Sequence, residues 1–163
     1  IIRDQSKKEL KFDQHFYART ITERFGTGKS AMVPATTGVK PLSKEDGPKT
    51  PKEKKERIKI PYREAVGALM WTSTMTQPDI SSAVRTVAKF CENSGMLHWK
   101  AVKILLLIEY MRKTPERGFA YGGDRNDRTV MRAFVDSDHA MCLDTRKSTS
   151  GGAVLLSGGV FSW

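Results

Sequence analysis

The chain has 163 residues, enough for one domain or two small ones. Hydrophobic residues make up 39% of it, and no apolar run approaches the roughly 20 residues that a membrane-spanning helix needs, so we expect no membrane partner. The formal net charge is +10, from 28 Lys and Arg against 18 Asp and Glu. A basic excess of this size indicates a polyanionic partner, most often nucleic acid, although a merely soluble basic protein would also show it.

Both ends of the chain look like cuts within a longer protein, because it starts at Ile1 without a secretory leader and stops within the strand-like residues 159–163. The two cysteines, Cys91 and Cys142, are far apart and lack metal-site spacing. They are therefore predicted to be free thiols in a reducing compartment. Cys91 falls on the apolar face of a predicted helix, and we expect it in the core.

The first elements in chain order are a predicted strand, turn and strand over residues 1–12, followed by a helix. Tyr17, Ile21 and Phe25 recur at helical spacing, and Gly26 suits the end of that helix.

The next segment, residues 28–60, is rich in proline and ends in a run of lysine and glutamate. It holds few large apolar residues and cannot bury much surface. We therefore expect a flexible, extended or disordered linker over residues 36–60.

Residues 62–114 carry the strongest helical pattern, with one helix from Tyr62, a second from Pro78 and a third over about residues 97–113. The apolar run 104–108 predicts that the third helix is the most buried. His98-Trp99 is expected to begin this helix with a buried indole. Three helices joined by short breaks predict a small antiparallel bundle.

After Thr114 the apolar period changes from 3.6 to 2, which is typical of strands. The predicted strands are 119–121, 130–135, 148–156 and 159–163, separated by turn residues such as Asp127-Arg128. The whole pattern predicts an α+β fold, in which a small helical bundle is followed by an incomplete antiparallel sheet.

Two carboxylates, Asp136 and Asp138, stand at the end of the apolar strand over 130–135 and would share one face of a continuing strand. Mg²⁺ prefers oxygen ligands, and two such ions can activate water for phosphodiester hydrolysis. The spacing alone favours a plainer interpretation, a turn capped by aspartates. Arg146 and Lys147 follow closely, where phosphate contacts would position a nucleic-acid backbone.

Longer motifs surround these carboxylates. Asp136-Ser-Asp-His-Ala is followed by Asp144-Thr-Arg-Lys-Ser-Thr-Ser-Gly and by Phe161-Ser-Trp. Upstream lie Pro61-Tyr-Arg-Glu-Ala-Val-Gly-Ala-Leu-Met, Pro78-Asp-Ile, His98-Trp with Ala101-Val-Lys, and Gly118-Phe-Ala-Tyr. In this order the motifs resemble the Pol polyprotein of copia-type LTR retrotransposons, and the stretch from Asp144 is very specific to that family.

The resemblance implies a modular organisation. Residues 1–35 would be the end of a reverse transcriptase palm and its first thumb helix, 36–60 a linker, 61–122 thumb and connection helices, and 129–163 part of a ribonuclease H domain. It also implies intracellular localisation, in cytoplasmic particles and the nucleus. The remainder of the Pol polyprotein would be a partner.

The site residues implied by the resemblance start with Asp136, which matches the first-strand metal ligand of ribonuclease H; Asp138 is the second candidate. The complete enzyme would use Mg²⁺ or Mn²⁺. An RNA–DNA duplex would be gripped by its backbone and shape. The cations expected to contact it are Arg146, Lys147, Arg19, Arg24, Lys100 and Lys103.

The chain departs from the family pattern at His139, Gln77 and Met141-Cys142. The other carboxylates of both active sites are absent from it, so the isolated chain is predicted to be inactive and to bind no metal stably. The alternative hypothesis is a domesticated, non-enzymatic basic module that binds nucleic acid or another partner.

Overall fold

The computed structural model describes residues 1–25, 41–105, 107–122 and 130–163. For residues 104, 105 and 107–109 it describes the backbone and not the side chains. Several expectations fall outside this description: the helix end at Gly26, residues 36–40 of the linker, the burial of the run 104–108 and the turn at Asp127-Arg128. Within the described residues, no helix has the length and apolar character required to cross a bilayer.

The described residues form an α+β fold, as predicted, with helices between two groups of strands. The strands are β1 (Ile2–Asp4), β2 (Glu9–Asp13), β3 (Gly118–Gly122), β4 (Met131–Ser137), β5 (Ser150–Leu156) and β6 (Gly159–Ser162). The helices are α1 (His15–Phe25), α2 (Pro51–Ile58), α3 (Tyr62–Met75), α4 (Ser81–Ala88), α5 (Met96–Lys100) and α6 (Leu107–Lys113). Short 3₁₀ turns cover Lys44–Asp46 and Pro78–Ile80, and a π-helical segment covers Ala101–Leu105.

These elements belong to two compact units. A β unit combines Ile1–Asp13 with Arg117–Trp163, and a helical unit consists of Gln14–Glu116. The β unit is therefore discontinuous in sequence.

The first sheet of the β unit has the order β1-β2-β3, and both pairings are antiparallel. The hairpin of β1 and β2 confirms the predicted strand, turn and strand. The partner of β3 was not predictable from local pattern, because β2 lies about a hundred residues earlier in the chain. Phe12 stands opposite Phe119, and their rings stack with centroids 5.3 Å apart.

Gly118, at the start of β3, permits this close pairing. A Cβ atom at this position would lie 1.8 Å from the carbonyl oxygen of Phe12, far inside van der Waals contact. This close approach explains why a glycine begins the Gly118-Phe-Ala-Tyr motif, since any side chain at this position would clash with β2.

The second sheet is the predicted meander, with order β4-β5-β6 and antiparallel pairing throughout. β4 is an edge strand and is exposed along its whole length, although it carries large apolar side chains; Phe134 is 60% exposed and Val135 86%. The two sheets meet within the unit where the Tyr121 hydroxyl donates to the Val160 carbonyl at 2.6 Å. Phe119 and Trp163 also pack edge to face, with centroids 5.9 Å apart.

The helical unit has its own hydrophobic core, and its largest fully buried apolar side chains are Leu69, Ile80, Met111, Val66 and Val102. Helices α1 and α3 run antiparallel, because Gln14 bonds Thr76 at one end while Arg24 pairs with Glu64 at the other. Cys91 packs half-buried against this core, in line with its predicted position.

His98 is the fully buried ring at the start of the third helical segment, whereas the Trp99 indole is half-buried against the core, so the predicted burial of the indole is confirmed only in part. The His98 Nδ1 atom accepts from the Gly95 N–H at 2.8 Å, which leaves the proton on Nε2 to donate to the Ser43 carbonyl at 3.0 Å. The imidazole also stacks on Phe90, with centroids 4.1 Å apart. Burial is tolerated because both ring nitrogens are satisfied.

The expected linker is helical in part of its described residues. The 3₁₀ turn and α2 each start with a capping box, formed by Ser43 with Asp46 and by Thr50 with Glu53. Pro51 occupies the first turn of α2, where its missing N–H costs nothing. The expectation of an extended conformation over residues 51–58 was therefore wrong, because capping compensates for the few apolar residues.

We predict that Gly118→Ala destabilises the chain by about 2 kcal/mol, since the added methyl group must displace the β2 backbone. The matched control is Gly151→Ala on β5, where a Cβ atom meets nothing within 4 Å. The control should change stability by less than about 0.5 kcal/mol. Urea unfolding of both variants measures the difference, and equal effects would contradict the close approach of β3 to β2.

We also predict that α2 loses stability in acid. Hydrogen bonds from the Thr50 and Lys49 N–H groups hold the pKa of Glu53 below its ordinary value. The contribution of a depressed carboxylate is complete above its ordinary pKa and is lost as pH falls through the folded value. Amide exchange within α2 should therefore accelerate as the pH falls below about 4.5, the ordinary pKa of a glutamate, after correction for intrinsic rates. Glu53→Gln, which keeps an acceptor without a titrating group, should remove most of that pH dependence; an unchanged dependence would rule out Glu53 as its source.

Candidate functional site

Asp136, the first predicted metal ligand, lies near the end of β4 and is exposed. Its Oδ1 atom accepts from the N–H of Ser137 at 2.9 Å. Its partner across the β4–β5 ladder is Gly151, which has no side chain, and Val135 faces Gly152. The carboxylate therefore stands beside an open stretch of the neighbouring strand that a ligand can approach.

Asp138, the second candidate, has a structural role. Its N–H donates to the Thr149 carbonyl at 2.9 Å, and its Oδ1 atom accepts from the Thr149 N–H at 2.8 Å. Asp138 thus extends the pairing of β4 and β5 beyond the end of the strands and is half-buried there. This is the plainer interpretation, an aspartate that caps a turn, and it holds for Asp138 but not for Asp136.

Arg146 and Lys147 are both exposed in the connection between β4 and β5. Arg146 has φ +54°, and its N–H donates to the Cys142 carbonyl at 2.8 Å. The hydroxyl of Ser148 accepts from the Ala140 N–H at 3.0 Å, which ties the two sides of the connection together. The predicted basic pair therefore belongs to the same hairpin as Asp136.

The described residues fit a metal site at Asp136 only in part. Its carboxylate oxygens are the donors that Mg²⁺ and Mn²⁺ prefer. Nowhere in residues 1–25, 41–105, 107–122 or 130–163 do three or more His, Cys, Asp or Glu side chains come together as a possible metal centre. These residues supply a single ligand and do not form a two-metal centre by themselves.

The four predicted cations of the helical unit differ in whether their side chains contact other residues of the chain. Arg24 forms an ion pair with Glu64, and its guanidinium lies 4.9 Å from the ring centroid of Phe25. The Lys103 ammonium lies 5.5 Å from the ring centroid of Trp99. The side chains of Arg19 and Lys100 are exposed and have no hydrogen-bond or ionic partner in the described part of the chain. The structure thus separates two engaged cations from two that remain available to a ligand.

Comparison with known proteins identifies relatives of this chain. The chain is 37% identical, over its whole length, to the retrovirus-related Pol polyprotein from transposon TNT 1-94 of Nicotiana tabacum. The chain belongs to the Pol polyproteins of copia-type retrotransposons. It spans 12% of the length of that tobacco protein.

Shorter proteins share part of this Pol sequence. A secreted RxLR effector protein, number 161, of Plasmopara viticola is 34% identical over 104 residues, which are 64% of this chain and 70% of the effector. An uncharacterized mitochondrial protein of Arabidopsis thaliana is 34% identical over 102 residues, 63% of this chain and 40% of that protein. No family model and no solved structure matches the chain.

Gln77, one of the departures from the Pol pattern, occupies a buried position just before Pro78. Its Nε2 atom donates to the Thr114 carbonyl at 3.5 Å, a long bond. Its buried Oε1 atom has no hydrogen-bond partner among the described residues. The substitution therefore leaves a buried acceptor unsatisfied, which typically costs about 1–3 kcal/mol.

Sequence reasoning missed the contribution of Gly151, which clears the space beside Asp136. The available signal was the end of the Asp144-Thr-Arg-Lys-Ser-Thr-Ser-Gly motif, where a glycine inside a strand marks a close approach or an open position.

We predict that Asp138→Ala lowers the free energy of unfolding by about 1 kcal/mol, because the Thr149 N–H loses its acceptor. Asp138→Asn keeps an acceptor oxygen and should recover most of that loss. Asp136→Asn should change stability by less than about 0.5 kcal/mol, since its carboxylate is exposed. Urea unfolding of the three variants checks this, and an equal cost at Asp136 would contradict the division of roles.

Proposed function

We propose that this chain is the part of a copia-type Pol polyprotein in which the end of a reverse transcriptase is followed by the start of a ribonuclease H domain, and that it grips an RNA–DNA duplex. In this proposal, residues 1–35 end the palm and begin the thumb, 61–122 form thumb and connection, and 129–163 begin the ribonuclease H domain. Residues 36–60 join the first two parts.

The observation that carries the proposal is the β4–β5 hairpin. It combines an exposed carboxylate, Asp136, beside a side-chain-free position with two exposed cations, Arg146 and Lys147. Cations on an exposed turn can contact backbone phosphates, and a carboxylate at a strand end can hold a metal ion close to that backbone. The net charge of +10 supports the same partner.

Asp136 would hold Mg²⁺ or Mn²⁺ through its carboxylate oxygens in the longer protein. A bound ion of this kind supplies an activated water and stabilises the leaving oxygen. The residues of this chain position the nucleic acid and the metal ion: Arg146 and Lys147 hold the phosphate backbone, and Asp136 offers the first metal ligand. The isolated chain should not cleave nucleic acid, because its described residues supply one ligand of the site.

We predict that the chain binds an RNA–DNA hybrid with an affinity that falls as salt rises. Arg146→Gln with Lys147→Gln should reduce the slope of log K against log salt by about 2, since each phosphate contact contributes about 0.9. Lys52→Gln with Lys55→Gln on α2 removes the same charge as a control and should leave the slope near its original value. Fluorescence anisotropy of a labelled hybrid at several salt concentrations measures this.

Two results would contradict the proposal. One is the absence of hybrid binding at low salt, and the other is equal weakening by the two double variants. The expected inactivity has a separate test, incubation of the chain with hybrid and Mg²⁺. Cleavage that disappears in Asp136→Asn would show that the chain alone forms a working site.

A second candidate function is a non-enzymatic interaction module. The observation that favours it is the relative from Plasmopara viticola, a protein named as an effector, of which 70% is covered by the match. A chain that does not bind the hybrid, yet is folded by circular dichroism, would favour this second function.

A further inference from the structure

A cavity of about 420 Å³ lies in the helical unit, between the end of α2, the start of α3 and the residues that follow α4. Three of its lining residues are cationic: Arg57 and Lys59 at the end of α2, and Arg63 in the first turn of α3. None of these residues belongs to the hairpin or to the cations considered above, so the cavity is a separate feature of the molecule.

The two guanidinium groups are held in place by backbone carbonyls. The Arg63 Nε–H donates to the Cys91 carbonyl at 2.9 Å, and an Arg57 Nη–H donates to the Glu92 carbonyl. Each of these bonds uses one of the five N–H donors of a guanidinium. Arg57 and Arg63 are therefore partly fixed before any ligand arrives and keep most of their donors for it, which lowers the entropic cost of binding.

The charge at the cavity is not balanced by its own residues. Glu64 is the acidic residue among those that line it, and Glu64 already pairs with Arg24. The Lys59 ammonium has no hydrogen-bond or ionic partner within the described part of the chain. Burial raises the pKa of the Cys91 thiol, an effect that Arg63 partly opposes, so the thiol adds no negative charge near neutral pH.

Backbone donors add to these cations. The first intrahelical bond of α3 runs from the Ala65 N–H to the Pro61 carbonyl, and Pro61 provides no side-chain cap. The N–H groups of Arg63 and Glu64 therefore have no acceptor within the helix, and the positive end of the helix dipole is at the cavity. The cavity thus combines forked guanidinium donors, an ammonium and N–H groups, which together suit a tetrahedral oxyanion.

A second cavity, of about 320 Å³, shows that this pattern is not general for the unit. It shares Arg57 with the first cavity and also has Lys49, but it is lined by four carboxylates, those of Glu45, Asp46, Glu53 and Glu56. Of these two cavities, the first has more cations than carboxylates and the second has more carboxylates than cations.

We propose that the cavity formed by Arg57, Lys59 and Arg63 binds a phosphoryl group. The proposal rests on the proposed function only for the source of that group: in duplex binding it is a backbone phosphate of the nucleic acid, and otherwise it is free phosphate or polyphosphate. In duplex binding, the cavity adds a phosphate contact of the helical unit to those predicted for Arg19 and Lys100.

The test is a titration of the ¹⁵N-labelled 163-residue chain with inorganic phosphate at constant ionic strength, followed by NMR. The Nε–H signals of Arg57 and Arg63 and the amides of Arg63 and Glu64 should shift and saturate. Lys59→Gln with Arg63→Gln should weaken binding by at least about tenfold. Lys59→Gln alone keeps the Arg63 bond to Cys91 and should weaken it severalfold. Lys52→Gln with Lys55→Gln, equal in charge change, should leave it unaffected.

Absence of saturable shifts with both phosphate and tripolyphosphate would overturn the proposal, and so would a folded Lys59→Gln, Arg63→Gln chain that binds phosphate as tightly as the original. Tripolyphosphate is included because its higher charge reveals weak sites.

A second arm identifies the source of the phosphate. If the RNA–DNA hybrid displaces inorganic phosphate from the cavity, and the double cavity variant lowers the salt slope by about 1–2, the ligand is a backbone phosphate. If the hybrid binds without displacing phosphate, the cavity is a site for free phosphate. If the hybrid does not bind at all, the proposed function fails, while the phosphate shifts still support the cavity.

Discussion

The pairing of β2 with β3 is the constraint on which the rest of the structure depends. These two strands are neighbours in the sheet, although the helical unit Gln14–Glu116 separates them in the sequence. Loop-closure entropy grows only with the logarithm of loop length, so an insertion of this size is tolerated. The ladder and the packing of Phe12 against Phe119 and Tyr121 offset that cost. The helical unit contributes a core of its own, so each part has packing to stabilise it.

How much of this fold is predictable from sequence depends on how local each signal is. The periodicities of residues 1–12, 62–114 and 130–163 predicted the hairpin, the helices and the meander, because amphipathic patterning acts within one element. The partner of β3 is set by a register between distant strands, which no local pattern encodes. In α2, composition suggested disorder, although the capping box at Thr50 and Glu53 was visible in the sequence. His98 is fully buried with both ring nitrogens hydrogen-bonded, whereas the larger Trp99 ring is only half-buried, so residue size did not predict which ring is buried more deeply.

The candidate site shows a similar limit. Spacing predicted that Asp136 and Asp138 share a face, but it could not divide their roles. That division comes from the opposite chain segment: Thr149, just before β5, offers an N–H that Asp138 accepts, whereas Gly151 on β5 leaves the space beside Asp136 open. Both carboxylates accept from a backbone N–H, but Asp138 is half-buried and joins two chain segments, whereas Asp136 is exposed and bonds only the adjacent Ser137. The partner positions on and just before β5 therefore carry information that the Asp136-Ser-Asp motif lacks.

A large net charge indicates a polyanionic partner without locating the contact, because exposed cations on flexible side chains each contribute little. What distinguishes cations in this molecule is how firmly they are held. Arg24 is engaged with Glu64, whereas Arg57 and Arg63 are fixed by carbonyls and keep free donors. That arrangement depends on α2, which places Arg57 beside the residues that follow α4. Helix formation in a segment whose composition suggested a linker is thus what turns part of a diffuse positive charge into a defined cavity.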